Sequence, residues 1–363
     1  MDINTSKQFN KGVLVGMSGG VDSSVTAALL IEQGYNVSGV TLRLYDNEDL
    51  GELEQGTCCS LSDVEDARSV CDRLGLRHYV FNFKDRFKAS VIEKFCNEYA
   101  LGKTPNPCID CNRFIKFSEM LQRAEQLNIP RIATGHYASI SKQGDRYVLS
   151  RPKDKSKDQT YVLYSLTQYQ LERTLMPLGE LTKDEVRELA NEYGFRNANK
   201  PDSQDICFVP DGDYAGFISR YTGKALKNGD FVDLDGKVIG SHGGMLKYTI
   251  GQRKGLGMGF GKPVYVVSKD PLKNTVVLGD EKDLYTKRVI VRDTNFITMD
   301  NLESPINCMG KLRYRQREEA CKITPLDETT ILAEFEKPQR AVTSGQAAVF
   351  YDGDTVIGGG TID

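Results

Sequence analysis

The chain has 363 residues, 39% of them hydrophobic, and a formal net charge of −3 at pH 7. Its length exceeds what one small core can hold and predicts two or three domains. The charge excludes a protein that is basic throughout, as many nucleic-acid binders are, but it leaves room for a local basic strip.

The N-terminus and the cysteines bear on the cellular compartment. Residues 1–12 lack the apolar core of a secretion signal, and no unbroken apolar run approaches the roughly 18 residues of a membrane span. Nine cysteines, an odd number, favour thiols, metal binding or redox chemistry over a disulfide framework. Three histidines are too few for a His-rich metal site. We therefore expect a cytoplasmic protein with no membrane partner.

Short apolar strands alternate with amphipathic helices from residue 13 to about residue 135. VLVGM is followed by DSSVTAALLIEQG, NVSGVTLRLY, SDVEDARSVCDRLG and HYVFNF, and RIATGHYA reads as a later strand. Ser62 or Asp63 is the expected cap of the helix that Gly75 ends. The alternation predicts a parallel sheet that binds ligands at the carboxyl ends of its strands.

The pattern changes after residue 135. ASISKQGDRYVLS predicts a hairpin, and TKDEVRELANEYG predicts a helix with Thr182 as its cap and Gly194 as its stop. From DICFVPDGDYAGF onward the chain is rich in glycine and alternating residues, and the alternation strengthens from about residue 283. These segments predict short strands joined by tight turns.

Three domains follow from these patterns. We expect residues 1–208 to form an α/β domain and residues 209–280 a small central domain of mixed, mainly β structure. Residues 281–363 are expected to form a C-terminal β-barrel.

GMSGGVDSS, residues 16–24, lies between the first predicted strand and the first predicted helix. Glycines permit a close approach of the backbone, and N–H groups at a helix N-terminus bind anions. Serine hydroxyls add donors, and Asp22 is suited to hold a magnesium ion that bridges phosphate oxygens. The lysine of the G-x-x-x-x-G-K-[ST] loop is missing. The segment predicts a phosphate site of another type, and the alternative is a serine-capped helix after a glycine turn.

Two cysteines follow the rigid Pro-Asn-Pro loop in GKTPNPCIDCNRFIKF. Cys108 and Cys111 are placed at the start of a predicted helix, where the helix N-terminus and nearby basic residues lower a thiol pKa. Cys207 follows in DSQDICF, between elements. By itself the C-x-x-C pair leaves zinc binding, redox chemistry and chance open. The remaining cysteines are interpreted as small buried hydrophobic residues (Cys71, Cys96, Cys308 and Cys321) or as loop residues without a catalytic role (Cys58 and Cys59).

The order of these motifs resembles that of a known family. GMSGGVDSS is similar to the pyrophosphate-binding loop of the N-type ATP pyrophosphatases, the PP-loop superfamily, which cleave ATP to AMP and pyrophosphate. TPNPCIDCN, ATGHY, KDQTYVLY, DSQDICF, IGQRKGLG, RYRQ and GQAAVFY follow in the order found in tRNA-specific 2-thiouridylases. The resemblance runs almost end to end and implies a Rossmann-like, doubly wound PP-loop domain, a small central domain and a C-terminal barrel.

The resemblance implies that the protein converts the wobble uridine of certain tRNAs to 2-thiouridine, with ATP and Mg²⁺. The C2 oxygen of uracil is a poor leaving group, so ATP first converts it to an adenylate, and a sulfur nucleophile then expels AMP. The implied partners are the tRNA anticodon stem-loop and a sulfur-donor protein, either a cysteine desulfurase or a sulfur-relay protein.

The resemblance also implies roles for individual residues. Cys111 matches the nucleophilic cysteine, and Cys207 matches the cysteine that carries the persulfide. The implied ATP-binding residues are Gly16, Met17, Ser18, Gly19, Gly20, Val21, Asp22, Ser23, Leu42 and Gly135. The implied contacts to the target base are Asn106, Pro107 and Cys108, and those to the rest of the tRNA are His136, Lys157, Asp158, Gln159, Arg313, Tyr314 and Gln346. The strip KLRYRQR gives the barrel basic and aromatic character that suits tRNA.

Cys108 stands where many family members have Asp. An Asp there acts as a general base, a role that a thiol with an ordinary pKa of about 8.5 fills less well. Cys108, Cys111 and Cys207 are instead compatible with three ligands of a [4Fe-4S] cluster, with zinc binding, or with a Cys108–Cys111 redox disulfide. The cluster and the persulfide relay stay open at this point.

Two other hypotheses for the function remain. One is an amidotransferase or ligase of the same superfamily, in which ammonia or an amino acid attacks the adenylate. The other is a noncatalytic tRNA- or metal-binding protein.

Overall fold

The structure, a computed structural model, describes residues 11–46, 61–201 and 205–363. The chain packs as two compact units. The first unit contains the chain up to Val91, then Cys108–Pro210 and Asp354–Val356; the second contains Ile92–Pro107, Asp211–Gly353 and Ile357–Asp363.

The first unit is built on a parallel sheet. Its strands are β1 (Gly12–Gly16), β2 (Asn36–Arg43), β3 (Arg77–Asn82), β4 (Arg131–Ala133), β5 (Ser139–Gln143), β6 (Arg146–Ser150) and β7 (Thr174–Leu175). Five of them form the sheet in the order β3-β2-β1-β4-β7, with every neighbouring pair parallel. The chain runs outward from β1 first to one side and then to the other, so the switch point, where such sheets bind ligands, lies between β1 and β4.

The helices of both units follow in chain order. They are α1 (Val21–Glu32), α2 (Leu61–Arg73), α3 (Lys84–Phe87), α4 (Glu93–Ala100), α5 (Pro107–Asp110), α6 (Met120–Gln126), α7 (Gln168–Glu172), α8 (Lys183–Glu192) and α9 (Tyr214–Thr222). π-helical segments occupy Lys88–Ile92 and Cys111–Glu119. In the described part of the chain, no helix is both long and apolar enough to cross a membrane.

Local signals explain several of these boundaries. The hairpin is confirmed as β5 and β6. Thr182 caps α8 in a capping box with Glu185, and Gly194 follows the helix with a φ of 65°, as expected. The expected cap of α2 is wrong: the helix begins at Leu61, so Asp63 lies in its first turn, where a carboxylate favours the helix dipole.

The core of the first unit lies on both faces of β1. Val13, Leu14 and Val15 are fully buried, as expected for a central strand of a parallel sheet. Val13 and Val15 pack in one cluster with apolar residues of α1, α2 and α8. The doubly wound α/β fold is therefore confirmed.

The second unit contains two β structures. Its strands are β8 (Gly229–Val232), β9 (Val238–His242), β10 (Tyr265–Asp270), β11 (Thr275–Gly279), β12 (Tyr285–Phe296), β13 (Ile306–Lys311), β14 (Glu319–Pro325), β15 (Ile331–Arg340), β16 (Ala347–Asp352) and β17 (Thr355–Ile362), of which the first two residues of β17 belong to the first unit. A mixed sheet has the order β10-β11-β8-β9. The other six strands have the order β12-β15-β14-β13-β16-β17, and the pairing of β12 with β17 closes the barrel that the alternating pattern predicts.

The segment before the C-x-x-C pair packs with the second unit. Phe95 of α4 lies 6.2 Å from the ring of Tyr214, and Thr104 N–H donates to the carbonyl of Ser344 at 2.9 Å. The sequence does not reveal this packing, because residues 92–107 continue the helix-rich pattern of the first unit.

Candidate active site

Residues 16–24 connect β1 to α1 at the carboxyl end of β1. Gly19 has a φ of 72°, and a Cβ atom there would lie 2.6 Å from the carbonyl oxygen of Asp63. The hydroxyls of Ser23 and Ser24 both donate to the Gly20 carbonyl at 3.0 Å, and no side chain caps α1. The serine-capped interpretation is therefore wrong. The uncapped N–H groups of the first turn are left for an anion.

The predicted ATP residues gather at the carboxyl ends of three adjacent strands. Gly135, just beyond β4, approaches α1 so closely that a Cβ atom on it would lie 2.9 Å from the backbone of Asp22 and of Ser23. Met17 N–H donates to the Val40 carbonyl at 2.7 Å, which joins the loop to β2. Leu42 is half-buried near the end of β2. These contacts bring the segment after β4 and the end of β2 beside the loop.

A buried lysine that sequence reasoning missed lies at this loop. Lys183, the first residue of α8, donates from Nζ to both carboxylate oxygens of Asp22 at 2.7 and 2.9 Å. Its side chain is 6% exposed, and Tyr137 Oη donates to the same carboxylate at 2.9 Å. Lys183 thus supplies a cation beside the loop, which lacks the lysine of the G-x-x-x-x-G-K-[ST] motif. Its position directly after the Thr182 cap had suggested only a helix start.

The segment before Cys207 is fastened to the same loop. Asn197 Nδ2 donates to the Gly19 carbonyl at 2.9 Å. Lys200 Nζ donates to Asp63 at 2.7 Å and to Asp66 at 2.8 Å. Burial lowers the pKa of Lys200, but these two hydrogen bonds outweigh it and hold the pKa above its usual value. Residues 197–200 are therefore held beside the loop by Asn197 and beside α2 by Lys200.

The three predicted catalytic cysteines are thiols with different exposures. Cys108 is exposed within α5, Cys111 is 9% exposed at the start of the π-helical segment, and Cys207 is half-buried. A π-helical turn widens the helix, a distortion common at functional sites. Next to Cys111, Asn112 Nδ2 donates to the Val162 carbonyl at 3.0 Å and fixes the turn.

Cys207 is positioned by aromatic residues. Tyr45, which follows β2 and is 3% exposed, donates from Oη to the Cys207 carbonyl at 2.8 Å. The ring of Phe208 packs edge-on against Phe87 at 5.8 Å, and Phe87 lies 5.9 Å from Tyr45. The backbone at Cys207 is thus held beside the carboxyl end of β2.

The metal interpretations of the thiols do not fit this arrangement. Among residues 11–46, 61–201 and 205–363, no group of three or more His, Cys, Asp or Glu side chains could hold a metal ion. Cys108, Cys111 and Cys207 are therefore not arranged as ligands of a [4Fe-4S] cluster or of zinc. Nor are Cys108 and Cys111 bonded to each other. Cys58 and Cys59 lie outside the described residues.

Two of the predicted tRNA contacts on the first unit have side chains engaged inside the protein. The Asp158 carboxylate accepts hydrogen bonds from Thr160 and lies 3.4 Å from the Arg151 guanidinium. Gln159 Oε1 accepts from the Tyr137 N–H at 2.8 Å. Both side chains therefore organise the segment that the resemblance assigns to tRNA.

The same holds for two residues of the second unit. The Arg313 guanidinium donates to the Ala341 carbonyl and, at 3.1 Å, to Thr343 Oγ1. Gln346 Nε2 donates to the Thr104 carbonyl at 2.6 Å. Arg313 thus holds the loop between β15 and β16 against the connection between β13 and β14, and Gln346 holds the same loop against the segment before α5.

His136 is a buried histidine. It is 8% exposed, and its Nδ1 lies 2.8 Å from Thr134 Oγ1. Burial, with a smaller contribution from the charge of Lys116, lowers the pKa of His136 well below its usual value. His136 therefore offers a hydrogen bond but no charge to a polynucleotide.

The other predicted contacts are mostly more accessible. Tyr314 is 38% exposed, with Lys311 Nζ 5.7 Å from its ring centroid. Lys157 and Asn106 are half-buried, whereas Pro107 is buried at the first position of α5.

Comparison with known families places this geometry in context. The tRNA methyl transferase HUP domain family matches residues 11–211, the tRNA methyl transferase PRC-barrel domain family matches residues 215–280, and the aminomethyltransferase beta-barrel domain family matches residues 286–362. The tRNA-specific 2-thiouridylase MnmA of Clostridioides difficile (strain 630) is 52% identical over 98% of this chain and 99% of its own length. The protein of that name in Acetivibrio thermocellus (strain ATCC 27405) is 53% identical over 97% of this chain and 99% of its own.

The chain belongs to the tRNA-specific 2-thiouridylase family. This membership favours the sulfurtransferase hypothesis over the amidotransferase, ligase and noncatalytic alternatives. A solved 4-thiouridine synthetase–RNA complex with bound ATP superposes with a TM-score of 0.38 and 19% identity, over 59% of this chain and 50% of that one. That likeness is too low to bear on function.

We predict that Lys183→Met in this 2-thiouridylase weakens ATP binding at least about tenfold, because it removes the cation beside the loop and leaves the Asp22 carboxylate unpaired. Isothermal titration calorimetry measures the Kd. Lys153→Met is the matched control, because Lys153 pairs with Glu185 on the surface. An unchanged Kd for Lys183→Met contradicts this role.

We also predict that Gly135→Ala lowers both ATP affinity and Tm, because its Cβ atom forces β4 and α1 apart. Gly259→Ala serves as the control, since a Cβ atom there meets nothing within 4 Å. Thermal denaturation with and without ATP measures both effects. Equal behaviour of the two variants would show that the close approach does not matter.

Proposed function

We propose that the protein is an ATP-dependent tRNA-uridine 2-sulfurtransferase that works through the nucleotide loop and the thiols of Cys111 and Cys207. One observation carries this proposal: within the first unit, Asn197 is hydrogen-bonded to the Gly19 carbonyl of the loop, and the Cys207 carbonyl accepts a hydrogen bond from Tyr45, which follows β2. The loop follows β1 and the residue that holds Cys207 follows β2, so both are attached at the carboxyl ends of neighbouring strands of one sheet.

The first step consumes ATP. The N–H groups at the start of α1 and the ammonium of Lys183 stabilise the pyrophosphate part, while the C2 oxygen of the uridine attacks the α-phosphorus. The bond between the α-phosphorus and pyrophosphate breaks, pyrophosphate leaves, and AMP is bonded to the C2 oxygen of the uridine. Bound Mg²⁺ would neutralise charge on the phosphates; Asp22 is the carboxylate in the first turn of α1, and Lys183 already pairs with it.

The second step delivers sulfur. The Cys207 thiolate attacks the terminal sulfur of a persulfide on the donor protein, so Cys207 becomes a persulfide and the donor cysteine leaves as a thiol. The terminal sulfur of this persulfide attacks C2, and AMP leaves. The Cys111 thiolate then attacks the Cys207 sulfur, which releases 2-thiouridine and leaves a Cys111–Cys207 disulfide. An external thiol reductant supplies the two electrons that return both cysteines to thiols.

We propose the persulfide relay over the iron–sulfur cluster, because the described residues offer no set of three ligands. Iron and acid-labile sulfide are measured on protein purified without oxygen, in parallel with ATP-dependent thiolation of unmodified tRNA. Full activity without iron supports the relay. Activity that disappears with the iron and returns after reconstitution supports the cluster instead.

The proposal also assigns roles to the domains and to the substrate contacts. We propose that residues 1–208 adenylate the anticodon stem-loop and transfer sulfur to it, and that residues 281–363 contact the tRNA. Lys157 and Tyr314 contact the polynucleotide directly. Arg313 and Gln346 instead hold the protein loops that shape the binding surface. Asn106, Pro107 and Cys108 flank the target base. The sulfur donor is a cysteine desulfurase or a relay protein, and the location is the cytoplasm.

Cys207→Ser is expected to abolish thiolation while leaving the Kd for ATP unchanged, because the loop retains all its contacts. Liquid chromatography with mass spectrometry of digested tRNA measures 2-thiouridine. Cys96→Ala, a change at a buried thiol of the second unit, is the control and retains activity. Thiolation by the Cys207→Ser variant would remove Cys207 from the mechanism.

Tyr45→Phe is expected to slow thiolation about tenfold, because it deletes the hydrogen bond to the Cys207 carbonyl and preserves the ring contact with Phe87. ATP affinity and Tm change little. Tyr169→Phe, which deletes an exposed hydrogen bond to Glu125, is the matched control. Single-turnover rates with preformed persulfide separate this effect from sulfur loading, and equal rates in the two variants argue against positioning by Tyr45.

A further inference from the structure

Two cysteines that the proposed chemistry does not use face each other in the barrel. Cys308 in β13 and Cys321 in β14 are register partners of an antiparallel pair. Their Sγ atoms lie 3.6 Å apart. The sequence suggested two separate buried hydrophobic residues, but strand pairing makes them one dithiol.

The backbone geometry suits a bond between them. Directly opposed residues in antiparallel strands have Cα atoms about 4.5–5.5 Å apart, within the range of about 4.4–6.8 Å that disulfides span. Gly310 makes room for the pair, because a Cβ atom on it would lie 2.9 Å from Cys321 Sγ. Side-chain rotation alone can therefore bring the sulfur atoms into bonding distance.

We propose that Cys308 and Cys321 form a reversible modification site, a dithiol that a small-molecule disulfide oxidises to a cross-strand disulfide. Cys308 is half-buried and Cys321 is 4% exposed, so the oxidant meets Cys308 first. This inference does not depend on the sulfurtransferase activity.

The exchange balances in two steps. The Cys308 thiolate attacks one sulfur of the oxidant RSSR, forms a mixed disulfide and releases RS⁻. The Cys321 thiolate then attacks the Cys308 sulfur and releases the second RS⁻. The two cysteines lose two electrons to the oxidant, and their two protons end on two RSH molecules.

The Cys308–Cys321 dithiol is oxidised slowly. The hydrogen bond to Cys321, followed by burial, raises the pKa of the Cys308 thiol. Only a small fraction is thiolate at neutral pH, so oxidation accelerates as the pH rises, by up to about tenfold per pH unit.

The disulfide would cross-link the hairpin formed by β13 and β14 at the middle pair of its register. Residues 312–318 connect these strands and include Tyr314, a proposed tRNA contact, and Arg313, which holds the loop between β15 and β16. Oxidation therefore restrains this connection and stabilises the barrel against unfolding.

Peptide mapping of the full-length protein tests the site. The protein is incubated in glutathione buffers of graded oxidised-to-reduced ratio, then acid-quenched, alkylated and digested with trypsin. Cleavage after Lys311, Arg313, Arg315 and Arg317 places Cys308 in peptide 293–311 and Cys321 in peptide 318–322. Only a disulfide joins these two peptides. Cys71 and Cys96, both buried, are the internal controls and remain alkylated.

The expected result is a joined peptide pair that forms faster at pH 9 than at pH 7 and disappears with dithiothreitol. The oxidised protein melts roughly 5 °C higher in the barrel transition, and Cys321→Ser abolishes this shift while Cys308 accumulates a glutathione adduct. Glutathione adducts on Cys308 of the unmutated protein without joined peptides would overturn the proposal. So would two free thiols at every buffer ratio.

Discussion

The ion pair between Lys183 and Asp22 is the contact on which the proposed nucleotide site depends. It joins α8 to the first turn of α1, and Tyr137 brings the segment after β4 to the same carboxylate. Because Lys183 is almost fully buried, its charge is weakly solvated and is best compensated where Asp22 lies. The pair therefore fixes the relative position of three chain segments at the switch point.

Hydrogen bonds hold both the loop and Cys207, the cysteine that we propose carries sulfur. Asn197 holds the Gly19 carbonyl, Lys200 holds two carboxylates of α2, and Cys207 follows seven residues after Lys200. A movement of the Gly19 carbonyl changes its hydrogen bond with Asn197. Tyr45 holds the Cys207 carbonyl. In the proposed reaction, adenylation and sulfur delivery occur in sequence on one base, and the hydrogen bonds at Asn197 and at Cys207 supply positioning that such a sequence requires.

Sequence patterns predicted the elements better than the contacts between them. Strand–helix alternation gave the parallel sheet, and the Thr182 cap and Gly194 stop bounded α8, because these signals are local. The Lys183–Asp22 pair joins residues 161 positions apart, so no local pattern contains it. For the same reason, the dithiol of Cys308 and Cys321 became visible only from the register of β13 and β14.

Motif resemblance identifies positions, whereas the structure distinguishes how each side chain acts. Asp158, Gln159, Arg313 and Gln346 all matched tRNA contacts, yet each has a side chain bonded to its own protein. A side chain that holds a loop affects a ligand through the backbone that it positions, and phosphate recognition relies on such backbone N–H groups as well as on charged side chains. The near-neutral overall charge is compatible with tRNA binding on these terms, because recognition by shaped loops and a few accessible basic or aromatic side chains needs no large excess of positive charge.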